Sequence, residues 1–524
     1  MVNCKKKVDN GLVSGALALT VSVFIVKIIG YLYKLPLSHI LGDEGMGYFN
    51  SAYSVFSFFY MLSLGGVPRA VAVCVADARY KHGMESARRI LSISLKIFLV
   101  IGISFAILLM TCSGFFSKII GNSAARFSLF CIAPSLSFVA AAGVLRGYLN
   151  GIGRLNQVAI AEVLDGVSKF VTGLMLALLA TRKNESAYIV SAYTVLGVSI
   201  GAFIGALFMY ISTKIENTEE KEEQKCNFLK SDKEVLKTIF KIATPITLTS
   251  AIMGATNIID LGIIMKRLKS VGFSEIEAVA LYGNFTTLVI PLLNLASAFI
   301  SPFATAAMPY ITKFQALRLQ DEYYKLVEQI IFLTALFMCP VMLSFFFFGE
   351  EILLLLFSDS SAIVAAPLLT IAAPSVLFSA LLIMCNTVLE ASGYAKVPLV
   401  SMSVGAAVKI LSAYLLIGSV GIYGAPISTT LCYFTACTIS TFVLHFKTKQ
   451  KYSVIGITTI PFILSFSVIF SGYIIYNSLM KKAESIWIFL PFAFVIALIY
   501  IAFTWIFMRK RFCFLTDYVK IAKK

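Results

Sequence analysis

The sequence predicts an all-α polytopic membrane protein of about fourteen transmembrane helices, and three observations carry that prediction. The first is composition. Of 524 residues, 59% are hydrophobic before any of the 33 glycines is counted, and only 14% are charged. Soluble domains average roughly 45–50% apolar with glycine included and about 25% charged. A mean hydropathy of +0.87 therefore excludes a soluble globular domain, a disordered chain, a disulfide scaffold and a secreted enzyme. The second observation is that apolar runs of about 20 residues, enough to cross a bilayer, recur along the whole chain. The third is that the basic residues are distributed unevenly between alternate loops.

The runs fall near residues 12–33, 46–66, 90–112, 127–147, 156–180, 188–211, 239–263, 279–301, 327–348, 362–386, 397–417, 424–444, 454–476 and 486–508; they are called spans 1 to 14 below. An outer-membrane barrel strand would alternate apolar and polar residues. Runs such as Ile330–Phe348 and Ile486–Phe507 do not alternate, so the spans read as helices. Lys5, Lys6 and Lys7 precede span 1 as they would a signal peptide. That apolar run exceeds the length of a signal core, carries Lys27 and lacks a clear small-x-small exit, so it reads as a retained helix.

With both termini cytoplasmic, inner segments hold 28 of the 44 Lys and Arg, outer loops 10 and the spans 6. That bias obeys the positive-inside rule. The net charge of +17 is then a topology signal and a contact for anionic lipid, and no nucleic-acid partner is expected. The ten cysteines form no CxxC pair, and His39, His82 and His445 share no ligand spacing. No metal, cofactor or ATP-binding loop is expected.

Lys214–Lys237 is the longest hydrophilic stretch and reads as a cytoplasmic linker. Around it the chain repeats. Tyr48 and Pro68 are twenty residues apart across span 2, as Tyr282 and Pro302 are across span 8. Leu149, Gly153 and Lys169 match Leu389, Gly393 and Lys409 at a constant offset of 240. The expected organisation is an N-lobe at 1–213 (spans 1–6), a linker at 214–237, a C-lobe at 238–446 (spans 7–12), and spans 13 and 14 with a basic tail at 447–524. Because six is even, the repeats enter from the same side and are parallel. Two parallel lobes with a cavity between them suit alternating access, so the architecture implies a transporter and not an enzyme.

An ionisable group at mid-membrane costs about 2.5–3.5 kcal/mol on insertion scales and needs water or a partner. Lys27, Lys34, Arg69, Arg146, Lys169 and Lys409 are the candidate cations of a substrate cavity. Glu162, Asp165, Asn257 and Asp260 are the candidate coupling or charge-pairing groups. Bland readings stand beside these. Asp165 and Lys169 are four apart and can neutralise each other on one helix face. Arg69 and Arg146 can snorkel to headgroups, as can Lys96 and Lys241. Lys409 lies more than two turns inside its span and is harder to explain that way. Cations without an excess of carboxylates suit an anionic ligand, with lysine acting as a point charge for phosphate.

Three segments carry a family resemblance: KIIGYLYKLPLSHILGDEGMGYFNSAYS at 27–54, GVPRAVAVCVADA at 66–78 and RGYLNGIGR at 146–154. They resemble the stage V sporulation protein B group of the multidrug/oligosaccharidyl-lipid/polysaccharide (MOP) exporter superfamily, related to the lipid II flippases. The resemblance implies a MATE-like fold in a bacterial plasma membrane. It implies a monomer that flips an undecaprenyl-pyrophosphate-linked saccharide to the outer leaflet, with lipid II the expected cargo, in cell-wall or spore-cortex synthesis. It also implies that the KIIGYLYK cations face the pyrophosphate and that spans 13 and 14 either border the lipid tail or only pack the core. Relatives that bind sodium use an Asp on span 7, where Asp260 is similar, and an Asn and an Asp on span 11, which this chain lacks. Lys409 is therefore expected to pair with Asp260 when the cavity empties, and Lys27 with Glu162 or Asp165. Na+, H+ and membrane potential remain open as coupling sources. Another polyprenyl-linked saccharide and a drug remain open as cargo, and a non-transporting scaffold remains open as a role.

Overall fold

The computed structural model describes residues 2–219, 232–300, 303–304, 311, 314, 319–357, 359–394, 396–448, 454–480 and 489–521. Side chains within these helices are described except at 2–21, 23–24, 27, 64, 80–81, 216–219, 245, 249, 252–253, 256–257, 298, 359, 447–448, 454–455, 479–480 and 507–521. Among the described residues every regular element is a helix. Among the described residues, ten helices are long and apolar enough to cross a membrane, or eleven if one bent pair counts as a single span. Two of the ten, Ile28–Arg79 and Lys396–Phe446, run 52 and 51 residues. At 1.5 Å per residue each is about 75–80 Å long, more than twice the roughly 30 Å hydrocarbon core. Lys396–Phe446 therefore holds expected spans 11 and 12, whereas Ile28–Arg79 holds span 2 and the last six residues of span 1, whose helix begins at Val2.

Breaks fall where the local chemistry demands them. The outer loop expected between spans 1 and 2 shrinks to a kink at Gly42, the only non-helical residue inside Val2–Leu64, where φ is +63°. Span 4 is split by Pro134 into Ser123–Ile132 and Ser135–Gly151, bent by 42°. Span 10 is split at Ala373, ahead of Pro374, into Asp359–Ala372 and Pro374–Ala391. Proline has no amide to donate and crowds the turn before it.

The chain forms two compact units. One comprises Met1–Thr287 with Ile410–Ala425, and the other Leu288–Lys409 with Pro426–Lys524. In the first, Val67, Val71 and Val75 pack with Ile90, Tyr148 and Ile239 in one continuous core. Elsewhere in this unit, span 5 (Leu155–Arg182) lies against span 6 (Ala187–Glu219) so closely that a methyl group on Gly197 would sit 2.5 Å from Gly173 Cα. Gly197, Gly201 and Gly205 recur every four residues and make a flat ridge, the small-residue packing by which helices associate in lipid.

The sequence repeat has a structural counterpart. Helix Ser135–Gly151 ends with Gly153 at φ +82° and a bond from the Arg154 amide to the Leu149 carbonyl, 2.8 Å. Helix Pro374–Ala391 ends with Gly393 at φ +86° and a bond from the Tyr394 amide to the Leu389 carbonyl, also 2.8 Å. Both are left-handed glycine caps that close the last carbonyls of a helix. Leu149 and Leu389 are both fully buried.

In the second unit, span 14 is attached to span 9 by a specific bond. Pro340 lies inside Gln320–Phe347 and cannot donate to the Leu336 carbonyl four residues earlier. The Tyr500 hydroxyl donates to that carbonyl instead, at 2.7 Å, and accepts from Ser465 of span 13 at 3.2 Å. Phe348 and Tyr476 extend the contact through an aromatic cluster with Phe489 and Phe492. Replacing Tyr500 with Phe leaves a buried carbonyl unpaired, which costs about 1–3 kcal/mol. The expected result is a lower thermal midpoint for the purified protein in detergent. Pro340→Ala, which restores the amide, should recover most of the loss in the double variant.

Candidate functional site

Three of the ionisable residues singled out in the sequence lie along span 5, and Arg146 of span 4 reaches one of them. Glu162, Asp165 and Lys169 occupy one stripe of that helix, three and four residues apart. Lys169 Nζ lies 2.6 Å from Asp165 Oδ2, with each side chain about 30% exposed. Glu162 Oε1 lies 3.3 Å from a guanidinium nitrogen of Arg146 on span 4, and Glu162 Oε2 accepts a long bond from Ser22 of span 1, 3.4 Å. The two carboxylates expected to receive Lys27 are thus both engaged by other cations. Lys27 and Asn257 lie outside the residues with described side chains.

The glycine ridge of span 6 makes room for the Asp165–Lys169 pair. A methyl group at Gly201 would collide with Lys169 Cγ and stand 2.8 Å from the Asp165 carbonyl oxygen, and one at Gly205 would stand 3.0 Å from Asp165 Cβ. The pair sits against the glycine ridge with both side chains partly exposed, and each charge offsets the other. Arg69 is exposed on the first turn of Val67–His82. The amide of Gly66 just before that turn donates to Thr247 Oγ1 of span 7 at 3.0 Å. Asp260, on Asp232–Ser270, and Lys409, on Lys396–Val420, are both half-buried.

Lys34 is placed differently. Its ammonium donates to the Thr286 carbonyl of span 8 at 3.0 Å. That bond belongs to a polar seam between the first helical hairpin and span 8 that was not anticipated from the sequence. Asn284 donates to Asp43 at 3.0 Å, Asn50 to Thr287 at 2.7 Å, and Ser54 and Tyr282 share a bond of 3.1 Å. Gly47 meets the Val279 backbone in direct contact, so no side chain separates the two helices there. The available signal was an asparagine in each of two apolar segments, since an amide in hydrocarbon seeks another helix.

A second cluster joins the loops beside this seam. Glu275 accepts from Lys269, 2.6 Å, and from the Ser123 amide and hydroxyl, 2.9 and 2.7 Å, while Lys269 also donates to the Gly121 carbonyl at 2.6 Å. Glu275 opens a helix whose start is set by a capping box between Ser274 and Glu277. Among the described residues no group of three or more His, Cys, Asp and Glu is placed to hold a metal ion.

Comparison with known proteins puts this architecture in context. A family model described as "Polysaccharide biosynthesis protein" matches residues 12–315, more than half of the chain, and a MatE model matches residues 269–415. The chain is 24% identical over 466 residues to "Stage V sporulation protein B" of Bacillus subtilis (strain 168), covering 87% of this chain and 86% of that protein. Its fold is similar to a structure titled "Lipid II flippase MurJ, inward closed conformation", with a TM-score of 0.70 at 16% identity, covering 95% of this chain and all of the other. It is also similar to an inward-facing multidrug resistance MATE transporter of the MOP superfamily, with a TM-score of 0.66 at 14% identity, covering 83% of this chain and 98% of that one.

An all-helical chain of ten or more apolar spans, with ionisable groups held between helices, is a multi-pass bacterial membrane protein of the MOP transporter superfamily. Within that superfamily, it belongs to the polysaccharide biosynthesis protein family.

The packing of span 6 on the ion pair leads to a test. Gly201→Val should drive the helices apart by overpacking, at a cost of about 1–3 kcal/mol. The expected outcome is reduced yield and thermal midpoint, whereas Lys169→Ala in the same background, which removes the clashing Cγ, should relieve part of the clash.

Proposed function

We propose that this protein is a flippase that carries a polyprenyl-pyrophosphate-linked saccharide, with lipid II the leading candidate, from the inner to the outer leaflet. The observation that carries the reading is length. The lipid II flippase structure matches 95% of this chain, whereas the drug exporter structure matches 83%, and spans 13 and 14 lie beyond a twelve-helix transporter core. Those two helices are almost free of charge and are tied to span 9 through Tyr500. They suit a border for a long apolar tail. Stage V sporulation protein B, a relative along most of the chain, supports a place in spore-cortex or cell-wall synthesis.

In this reading both termini are cytoplasmic and the lobes are 1–213 and 238–446. Lys27, Lys34, Arg69, Arg146, Lys169 and Lys409 supply the positive potential that draws the pyrophosphate. Glu162, Asp165, Asn257 and Asp260 offset those cations when the cavity is empty or take the coupling ion. A carboxylate such as Glu162 or Asp165 that releases its cation to the substrate takes up a proton or a coupling cation in exchange, because otherwise it would be left as a bare charge in the membrane. The chain acts as a monomer and makes and breaks no covalent bond.

The match of residues 269–415 to the MatE model favours a second reading, a drug exporter on the same fold. Surface exposure of lipid II separates the two. In cells depleted of their own flippase, wild-type protein should restore exposure, and folded Lys27→Ala or Lys409→Ala variants should lower it at least tenfold. No restoration by protein shown to be in the membrane would exclude lipid II, and export of a cationic dye by the same cells would then favour the second reading.

A further inference from the structure

Span 8 contains one irregular turn, and it lies where Lys34 touches it. Residues Phe285–Val289 form a π-helical turn between Glu275–Asn284 and Ile290–Ala298. In that register the carbonyl of Thr286 looks for the amide five residues on. Position 291 is proline and has no amide to give. The Lys34 ammonium donates to this carbonyl from span 1 at 3.0 Å. The bonds Asn284–Asp43 and Asn50–Thr287 flank it on either side. The π turn, the proline and the lysine therefore form one unit at the centre of the seam.

Lys34 is poorly compensated there. An ammonium has three hydrogens to donate, and among the described residues this one has a single hydrogen-bond partner, a neutral carbonyl. A partly buried cation held this way gains considerably from meeting an anion, because charge-assisted bonds are roughly twice as strong as neutral ones. Once Lys34 leaves, the Thr286 carbonyl loses its donor. The cheapest repair is for the π turn to tighten toward regular α-helix, which shifts the register of span 8 by one residue. One residue of an α-helix corresponds to a rotation of about 100°, enough to turn Tyr282 and Asn284 away from Ser54 and Asp43.

We propose that Lys34 is the residue that couples arrival of an anionic headgroup to opening of the seam between the first hairpin and span 8. It holds the seam shut on a proline-freed carbonyl and releases it on binding phosphate oxygens. The inference rests on the pyrophosphate-linked cargo proposed above and assigns Lys34 a second position in the cycle.

The seam can be read by thiol labelling. Val279 is fully buried against Gly47, so Val279→Cys in the full chain with its ten cysteines replaced reports opening through its rate of reaction with a maleimide. Purified protein in detergent is compared with and without farnesyl pyrophosphate, with farnesol as the uncharged control. The wild-type background should label slowly, and severalfold faster with farnesyl pyrophosphate but not with farnesol. Lys34→Met should label fast in both conditions. Adding Pro291→Ala to Lys34→Met returns an amide to the Thr286 carbonyl in the π register, so the double variant should label slowly again, and this rescue guards against reading misfolding of the first variant as release.

Slow labelling of a monodisperse Lys34→Met protein would overturn the latch. If that slow variant still opened with farnesyl pyrophosphate, the coupling role of Lys34 would be lost while the cargo reading stood. If the double variant also labelled fast, the role of the proline-freed carbonyl would be overturned; if the wild type ignored farnesyl pyrophosphate, the anion-driven release would be overturned, while the cargo reading is decided separately by the lipid II exposure assay.

Discussion

A polar group surrounded by hydrocarbon has no solvent to fall back on, and its partner must come from a neighbouring helix. Much of the packing in this protein follows from that constraint. Apolar surface alone gives helices little reason to choose one neighbour over another in lipid. Asn50 and Asn284 commit the first hairpin to span 8, Glu162 commits span 5 to span 4, and Tyr500 commits span 14 to spans 9 and 13.

One device appears twice. Proline removes an amide, a carbonyl on the same helix is left open, and a side chain from a distant helix donates to it. Leu336, freed by Pro340, receives Tyr500. Thr286, at the π turn before Pro291, receives Lys34. The two differ in what the donor can do next. A phenol in a buried aromatic cluster has little to gain elsewhere, so the first contact is a permanent fastening. An ammonium gains from any anion that reaches it, so the second is a contact that chemistry can undo.

The ion pairs of span 5 show how charge is stored in such a fold. Asp165–Lys169 lies against a ridge of three glycines and Glu162–Arg146 bridges two helices. Each pair is close to neutral overall in this arrangement while each cation keeps its charge. Pairing also lets these helices enter the bilayer, because bare lysines would oppose insertion.

The chain's hydropathy alone determined that the protein is a bundle of membrane helices, and the offset of 240 residues marked its internal repeat. Both are legible because lipid solvation acts on each span separately and because a duplicated helix end such as Leu149–Gly153 keeps its cap chemistry at Leu389–Gly393. The pairing of Asp165 with Lys169 was legible for the same reason, being set by the helical repeat of one segment. Which cations face which carboxylates across helices was not. Lys34 and Lys169 look alike in sequence, each a lysine in an apolar stretch. Only the tertiary structure distinguishes the first, on a carbonyl of span 8, from the second, on its own helix, because a long side chain's partner is decided by which helix lies within its reach.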